Sequence, residues 1–157
     1  MIMLSKPKHG WTTIEVFGVQ LGTASYLYDV PMLTLDAFIQ YFSNIQEQEK
    51  ASLSITYDAE GYSFGLVTWN DTIYAIDDCG DTEPFVRLSE VKTKDGKYVS
   101  VKEGLQVLGA ELIDDIQSNI DDWAWWNPDT ETQKEANNQK ILLIEKCSIL
   151  VKLIKKT

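Results

Sequence analysis

His9 is the only histidine in the chain, and it stands between Lys8 and Gly10 near the N-terminus. Serine or cysteine nucleophiles need a base held against them, and zinc sites that depend on histidine need more than one, so this chain is poorly supplied for either chemistry. Cys79 lies in a polar stretch and Cys147 in an apolar, helical one. Two cysteines so differently placed make neither a disulfide framework nor a metal set, and they read as free thiols. The run Asp77-Asp-Cys-Gly-Asp-Thr-Glu83 offers oxygens to a calcium ion but lacks the alternate-residue spacing and closing glutamate of an EF-hand loop, which favours a polar turn between strands. Carboxylates near Trp69, Tyr62 and Tyr74 contain the ingredients of glycoside binding or hydrolysis, whose carboxyl separation is a tertiary quantity. Gly18 and Gly22 do not form a phosphate loop. The expectation is a protein that is not an enzyme and holds no cofactor and no metal.

Charge distribution is more informative. From Glu103 to Gln133 there are Glu103, Glu111, Asp114, Asp115, Asp121, Asp122, Asp129 and Glu131, together with Trp123, Trp125 and Trp126, and no Lys or Arg. From Asp58 to Val86 there are Asp58, Glu60, Asp71, Asp77, Asp78, Asp81 and Glu83, again with no basic residue, and Trp69. Against a formal net charge of −10, nucleic acid and anionic membranes are excluded as expected partners, because phosphate recognition needs clustered positive charge. Such segments suit a basic protein instead, with tryptophan as an interface anchor. The candidate partner-binding residues form two sets. One is Asp58, Glu60, Trp69, Asp77, Asp78, Asp81 and Glu83; the other is Asp114, Asp115, Asp121, Asp122 and Trp125. Either set could carry the contact.

The elements that must position these residues follow from periodicity. Trp11 to Leu21 reads as a strand or a strand pair, with a turn from Gly22. Leu35, Phe38, Ile39, Phe42 and Ile45 recur at helical spacing, which predicts a helix capped by Thr34 and ending near Glu49. Ser52–Tyr57, Tyr62–Trp69, Thr72–Ile76 and Phe85–Val91 read as a meander, since breaks this short permit only antiparallel hairpins; a turn at 94–97 closes another on Tyr98–Val101. Leu105, Leu108, Leu112, Ile116, Ile120 and Trp123 share one helical face. Asn127 then reads as the N-cap of a last helix running to about Lys155, with Pro128 at its first position and Asp129 and Glu131 in its first turn. Ile141–Ile144 and Ile149–Leu153 wrap most of that helix, so it is deeply packed or half of an interface, as in a homodimer.

The expected fold is therefore α+β, an antiparallel meander packed against helices with two C-terminal helices, forming a single domain over residues 1–157. A chain of 157 residues has enough surface to bury a core without staples. No apolar run reaches the length of a signal peptide or a membrane span, and the expected location is the cytoplasm.

Three segments in the first half, Gly10-Trp-Thr-Thr-Ile-Glu15, Ser25-Tyr-Leu-Tyr-Asp-Val-Pro31 and Gly61-Tyr-Ser-Phe-Gly-Leu-Val-Thr-Trp69, resemble the immunity proteins of bacterial polymorphic-toxin systems, including those of contact-dependent growth inhibition. The resemblance implies a small cytosolic protein that binds the C-terminal domain of one cognate toxin and blocks it, often a basic nuclease. It assigns no individual contact residue. Two other classes remain open on the residues alone: an adaptor subunit associating through the apolar C-terminal helix, and a carbohydrate-binding or carbohydrate-processing domain.

Overall fold

In a computed structural model, which describes residues 3–47, 51–92 and 95–157, the chain folds as α+β with two antiparallel sheets and four α-helices. The first sheet is a hairpin of β1 (Trp11–Val16) and β2 (Val19–Ser25). Its turn places Phe17 and Gly18 at positive φ, the backbone that a tight hairpin requires. The sequence thus encodes a strand pair, and Gly22 lies inside β2 rather than in a turn. A side chain there would stand 2.7 Å from the Phe64 ring of the other sheet, so Gly22 permits the two sheets to meet.

Helix α1 (Val30–Glu47) begins four residues before Thr34, so Thr34 is not its cap. Asp29 precedes it and accepts from the Met32 N–H at 3.5 Å, and Pro31 occupies its first turn, where no hydrogen bond is lost. Thr34 is buried instead. Its hydroxyl donates to the Val30 carbonyl at 2.7 Å and meets the Tyr57 hydroxyl at 3.0 Å, tying α1 to the sheet below. Burial raises the Tyr57 pKa, so this phenol stays a neutral hydrogen-bonding group. The expected end near Glu49 falls outside the described residues.

The second sheet has the order β3 (Ser54–Asp58), β4 (Ser63–Trp69), β5 (Thr72–Ile76), β6 (Thr82–Arg87), every pair antiparallel. The fourth strand starts earlier than Phe85 and gives way to a single 3-10 turn at Leu88–Glu90. Pro84 is tolerated because β6 is an edge strand, bulged against β5. Lys92 and Tyr98 form an isolated bridge, but Val101 already belongs to the next helix, and Lys94 lies outside the described residues.

Helix α2 (Val101–Ser118) opens on a capping box, in which Ser100 accepts from the Glu103 N–H and Glu103 accepts from the Ser100 N–H. Its apolar face continues as expected through Leu105, Leu108, Leu112 and Ile116, but Asn119 breaks the rod before the short α3 (Ile120–Ala124). Helix α4 (Gln133–Lys156) is capped by Thr132, not by Asn127. Asn127 closes a local turn by accepting from the Asp129 N–H, which leaves Asp129 and Glu131 outside the helix. Two cap signals compete here, and Thr132-x-x-Glu135 has the spacing of a capping box.

One continuous core joins the helices to both sheets. Gly109 of α2 faces Phe38 and Phe42 of α1 and Ile154 of α4, so three helices converge where a side chain is missing. Of α4, Ala136, Leu143, Cys147 and Leu150 are buried, whereas Ile141, Leu142, Ile144 and Ile149 are exposed. Among the described residues no helix is long and apolar enough to cross a membrane.

Gly65, at the middle of β4, tests the tightness of the meander, because a Cβ there would land on the Ile55 carbonyl oxygen of β3. Gly65→Ala is expected to destabilise the fold by about 2 kcal/mol, the range of core overpacking, and to lower the melting temperature by about 4–8 °C. Thermal unfolding followed by circular dichroism checks this, and an unchanged midpoint would show that β3 and β4 have room to separate.

Candidate acidic interface

Antiparallel pairing decides which carboxylates meet. The β3–β4 and β5–β6 connections leave the same end of the second sheet, and the β4–β5 turn leaves the other. Asp58, Glu60, Asp77, Asp78, Asp81 and Glu83 therefore gather at one end. A hydrogen bond from the Ser63 N–H to Asp78 Oδ1 at 2.7 Å locks the two connections together. Trp69 and Asp71 are at the opposite end, roughly 20 Å away at the rise of a strand, so Trp69 does not join the acids with which sequence grouped it. Trp69 is nonetheless 67% exposed. Asp71 is held by Ser89 and Thr72, whose hydroxyls lower its pKa.

The acidic end is built from turns that organise themselves with part of their own charge. Glu60 and Gly61 both take positive φ, the geometry of a tight two-residue hairpin turn, and the Glu60 N–H donates to Asp58 Oδ1 at 3.0 Å. Asp77 Oδ1 accepts from the Cys79 and Asp81 N–H groups, each at 2.9 Å, and Gly80 supplies the positive φ that this loop needs. Hydrogen bonds to backbone leave the negative charges in place. Among the described residues none of these six carboxylates makes an ion pair, and the salt bridges lie elsewhere.

The helical set is different. Asp115 faces inward: its Oδ2 accepts from the Met3 N–H at 2.6 Å and the Leu4 N–H at 3.0 Å, fastening the N-terminal segment to α2. Burial raises its pKa, and the two N–H donors pull it back. Asp121 pairs with Lys140 at 2.8 Å and Asp122 with Lys6 at 3.9 Å. Of the four aspartates proposed there, Asp114 is the exposed one that has no basic partner among the described residues. Nearby Glu111 is half-buried, its Oε2 has no partner among the described residues, and burial raises its pKa too. The tryptophans divide between roles: Trp123 and Trp126 are buried with rings 5.2 Å apart, Trp126 donates to the Tyr28 carbonyl at 2.7 Å, and Trp125 is 45% exposed.

Two features of the acidic end were not legible by grouping acids with tryptophans. Tyr62 projects from the β3–β4 turn with 52% of its surface exposed, its ring 6.4 Å from that of Phe64. The Glu60-Gly61 turn signal, followed through, would have put Tyr62 there. The second feature is a cleft of about 310 Å³ where β2 meets β5 and β6, rimmed by Asp77, Asp81 and Glu83. Among the described residues no group of three His, Cys, Asp or Glu side chains converges on a metal position. No protein family, curated protein or solved structure gives a match to this chain.

The contrast between the two aspartate sets is measurable. Asp115→Ala leaves two backbone N–H groups unsatisfied and is expected to cost about 2 kcal/mol in urea unfolding. Asp81→Ala removes an exposed carboxylate that has no partner among the described residues and should change stability by less than about 0.5 kcal/mol. Equal costs would contradict the division between a structural and a displayed carboxylate.

Proposed function

We propose that the protein is an immunity-type inhibitor, a cytoplasmic, non-enzymatic protein that docks a basic toxin domain on the acidic end of its meander. The observation that carries this reading is the uncompensated charge of Asp58, Glu60, Asp77, Asp78, Asp81 and Glu83 at one end of one sheet. Like charges displayed together on a rigid sheet repel one another, and a cationic surface relieves that repulsion on binding. They steer a basic domain during encounter, and Tyr62 supplies the apolar contact that slows its departure. The helical set supports the reading less, because Asp115, Asp121 and Asp122 are engaged inside the molecule. Inhibition follows if the covered surface of the toxin is its substrate-binding face or lies beside it. The resemblance in the first half of the chain points to the same role.

A second reading, an adaptor that associates through α4, is favoured by the exposed Ile141, Leu142, Ile144 and Ile149. In that case sedimentation shows a concentration-dependent dimer that Ile149→Lys abolishes, while a monomer at every concentration removes the reading.

The test of the first is co-expression with the toxic domain encoded immediately upstream. Growth is expected to be rescued with that toxin and not with unrelated ones. The double variant Asp81→Lys/Glu83→Lys should weaken the purified complex at least about tenfold, mostly through slower association, and Asp114→Lys should leave it within about twofold. Absent rescue with soluble protein would sink the proposal; loss of binding only on Asp114→Lys would transfer it to the helices.

A further inference from the structure

The cleft beside the acidic end combines two chemistries. Leu21 comes from the first sheet, and Phe64 and Ala75, which share one face of the second, complete an apolar floor. Gly22 permits this floor: its missing Cβ leaves the Phe64 ring where it is, packed at 5.5 Å from the Tyr57 ring. Asp77, Asp81 and Glu83 stand along the rim. Asp77 Oδ1 is occupied by backbone donors, whereas among the described residues no group donates to the carboxylates of Asp81 and Glu83. Arg87, the basic residue of β6, sits at the far end of that strand, opposite Thr72.

We infer that this cleft receives one arginine side chain of the partner, its methylene stem on the Leu21–Phe64–Ala75 floor and its guanidinium between the rim carboxylates. The inference rests on the proposed docking of a basic protein and names the contact that would anchor it. Size selects a side chain, for about 310 Å³ is at the lower limit of pockets that take whole small-molecule ligands. The combination of floor and rim selects a cation with an apolar stem, which excludes acidic and purely apolar anchors. Between the two basic residues, arginine fits better: its planar group stacks on an aromatic face, bonds carboxylates in pairs and is more weakly hydrated than an ammonium. A desolvated arginine in a central pocket is also the kind of contact that dominates interface energetics.

The probe is the peptide acetyl-Gly-Arg-Gly-amide, titrated into the intact protein and followed by two-dimensional amide NMR. Saturable shifts are expected at Leu21, Phe64 and Ala75 and through the β5–β6 connection. The same peptide with citrulline in place of arginine should bind at least about tenfold more weakly, since it keeps the shape and loses the charge. Ala75→Leu, which fills the cleft and leaves every carboxylate, should abolish the shifts, and Glu83→Gln, an exposed substitution that preserves the fold, should weaken binding several-fold. Diffuse shifts over the whole acidic end that survive Ala75→Leu would overturn the proposal. So would a lysine peptide binding as tightly as the arginine one. The two proposals fail separately: arginine binding without toxin rescue leaves the cleft and removes the immunity reading, whereas rescue without arginine binding does the reverse.

Discussion

Antiparallel pairing of four consecutive strands is the constraint from which the candidate interface follows. Each hairpin reverses the chain, so alternate connections return to the same end of the sheet. Acids separated by as many as 25 positions in sequence, Asp58 and Glu83, become neighbours of one surface, while Trp69 and Asp71 between them are carried to the other end. The register that enforces this is held without slack at Gly65, where β3 backbone occupies the space a side chain would need. A slip of one residue would also exchange the two faces of every strand and expose Ile55, Tyr57, Leu66 and Ile73. Core burial and the position of the acids are thus consequences of one pairing.

Electrostatics then separates two segments that look alike in composition. In the helices, carboxylates are consumed by structure: Asp115 caps the N-terminal backbone, and Asp121 and Asp122 meet Lys140 and Lys6, contributed from elsewhere in the chain. Such exposed pairs add little stability, but they cancel charge locally. In the meander the carboxylates organise their own turns through backbone N–H groups, which are dipoles, so the net charge stays on display. The acidic end is at once well ordered and electrostatically unsatisfied. Charge preorganised in this way avoids the entropy of ordering at the moment of any association.

Rigidity beneath the interface comes from polar ties between layers. Thr34 and Tyr57 join α1 to β3 by a buried hydrogen bond, and Gly22 lets the hairpin sheet close on Phe64. The same close approach of two sheets leaves the cleft at their seam. The hairpin is in turn fastened to α2 through the N-terminal segment, with Leu4 bridged to Ile14 and held by Asp115. A carboxylate read as a contact for partners is therefore part of the frame.

The sequence by itself determined the α+β class, the meander and the helical faces, because burial of apolar residues at periods of two and near 3.6 is local information. It also determined the charge imbalance of the Asp58–Val86 segment, since no Lys or Arg lies within it. Helix starts were less legible. Thr34 and Asn127 carried the chemistry of a cap, but Pro31 and the Thr132–Glu135 pair lay beside them; in the fold Thr34 is spent on Tyr57, and Asn127 closes a local turn on Asp129. What the tertiary structure alone decided was which acids are free. Lys140 is 19 residues from Asp121 in sequence, and Met3 is 112 from Asp115. Leu21 and Phe64 form one cleft floor from separate sheets. Neutralisation and cleft formation depend on distances through space between residues far apart in the chain, and no local period encodes those distances.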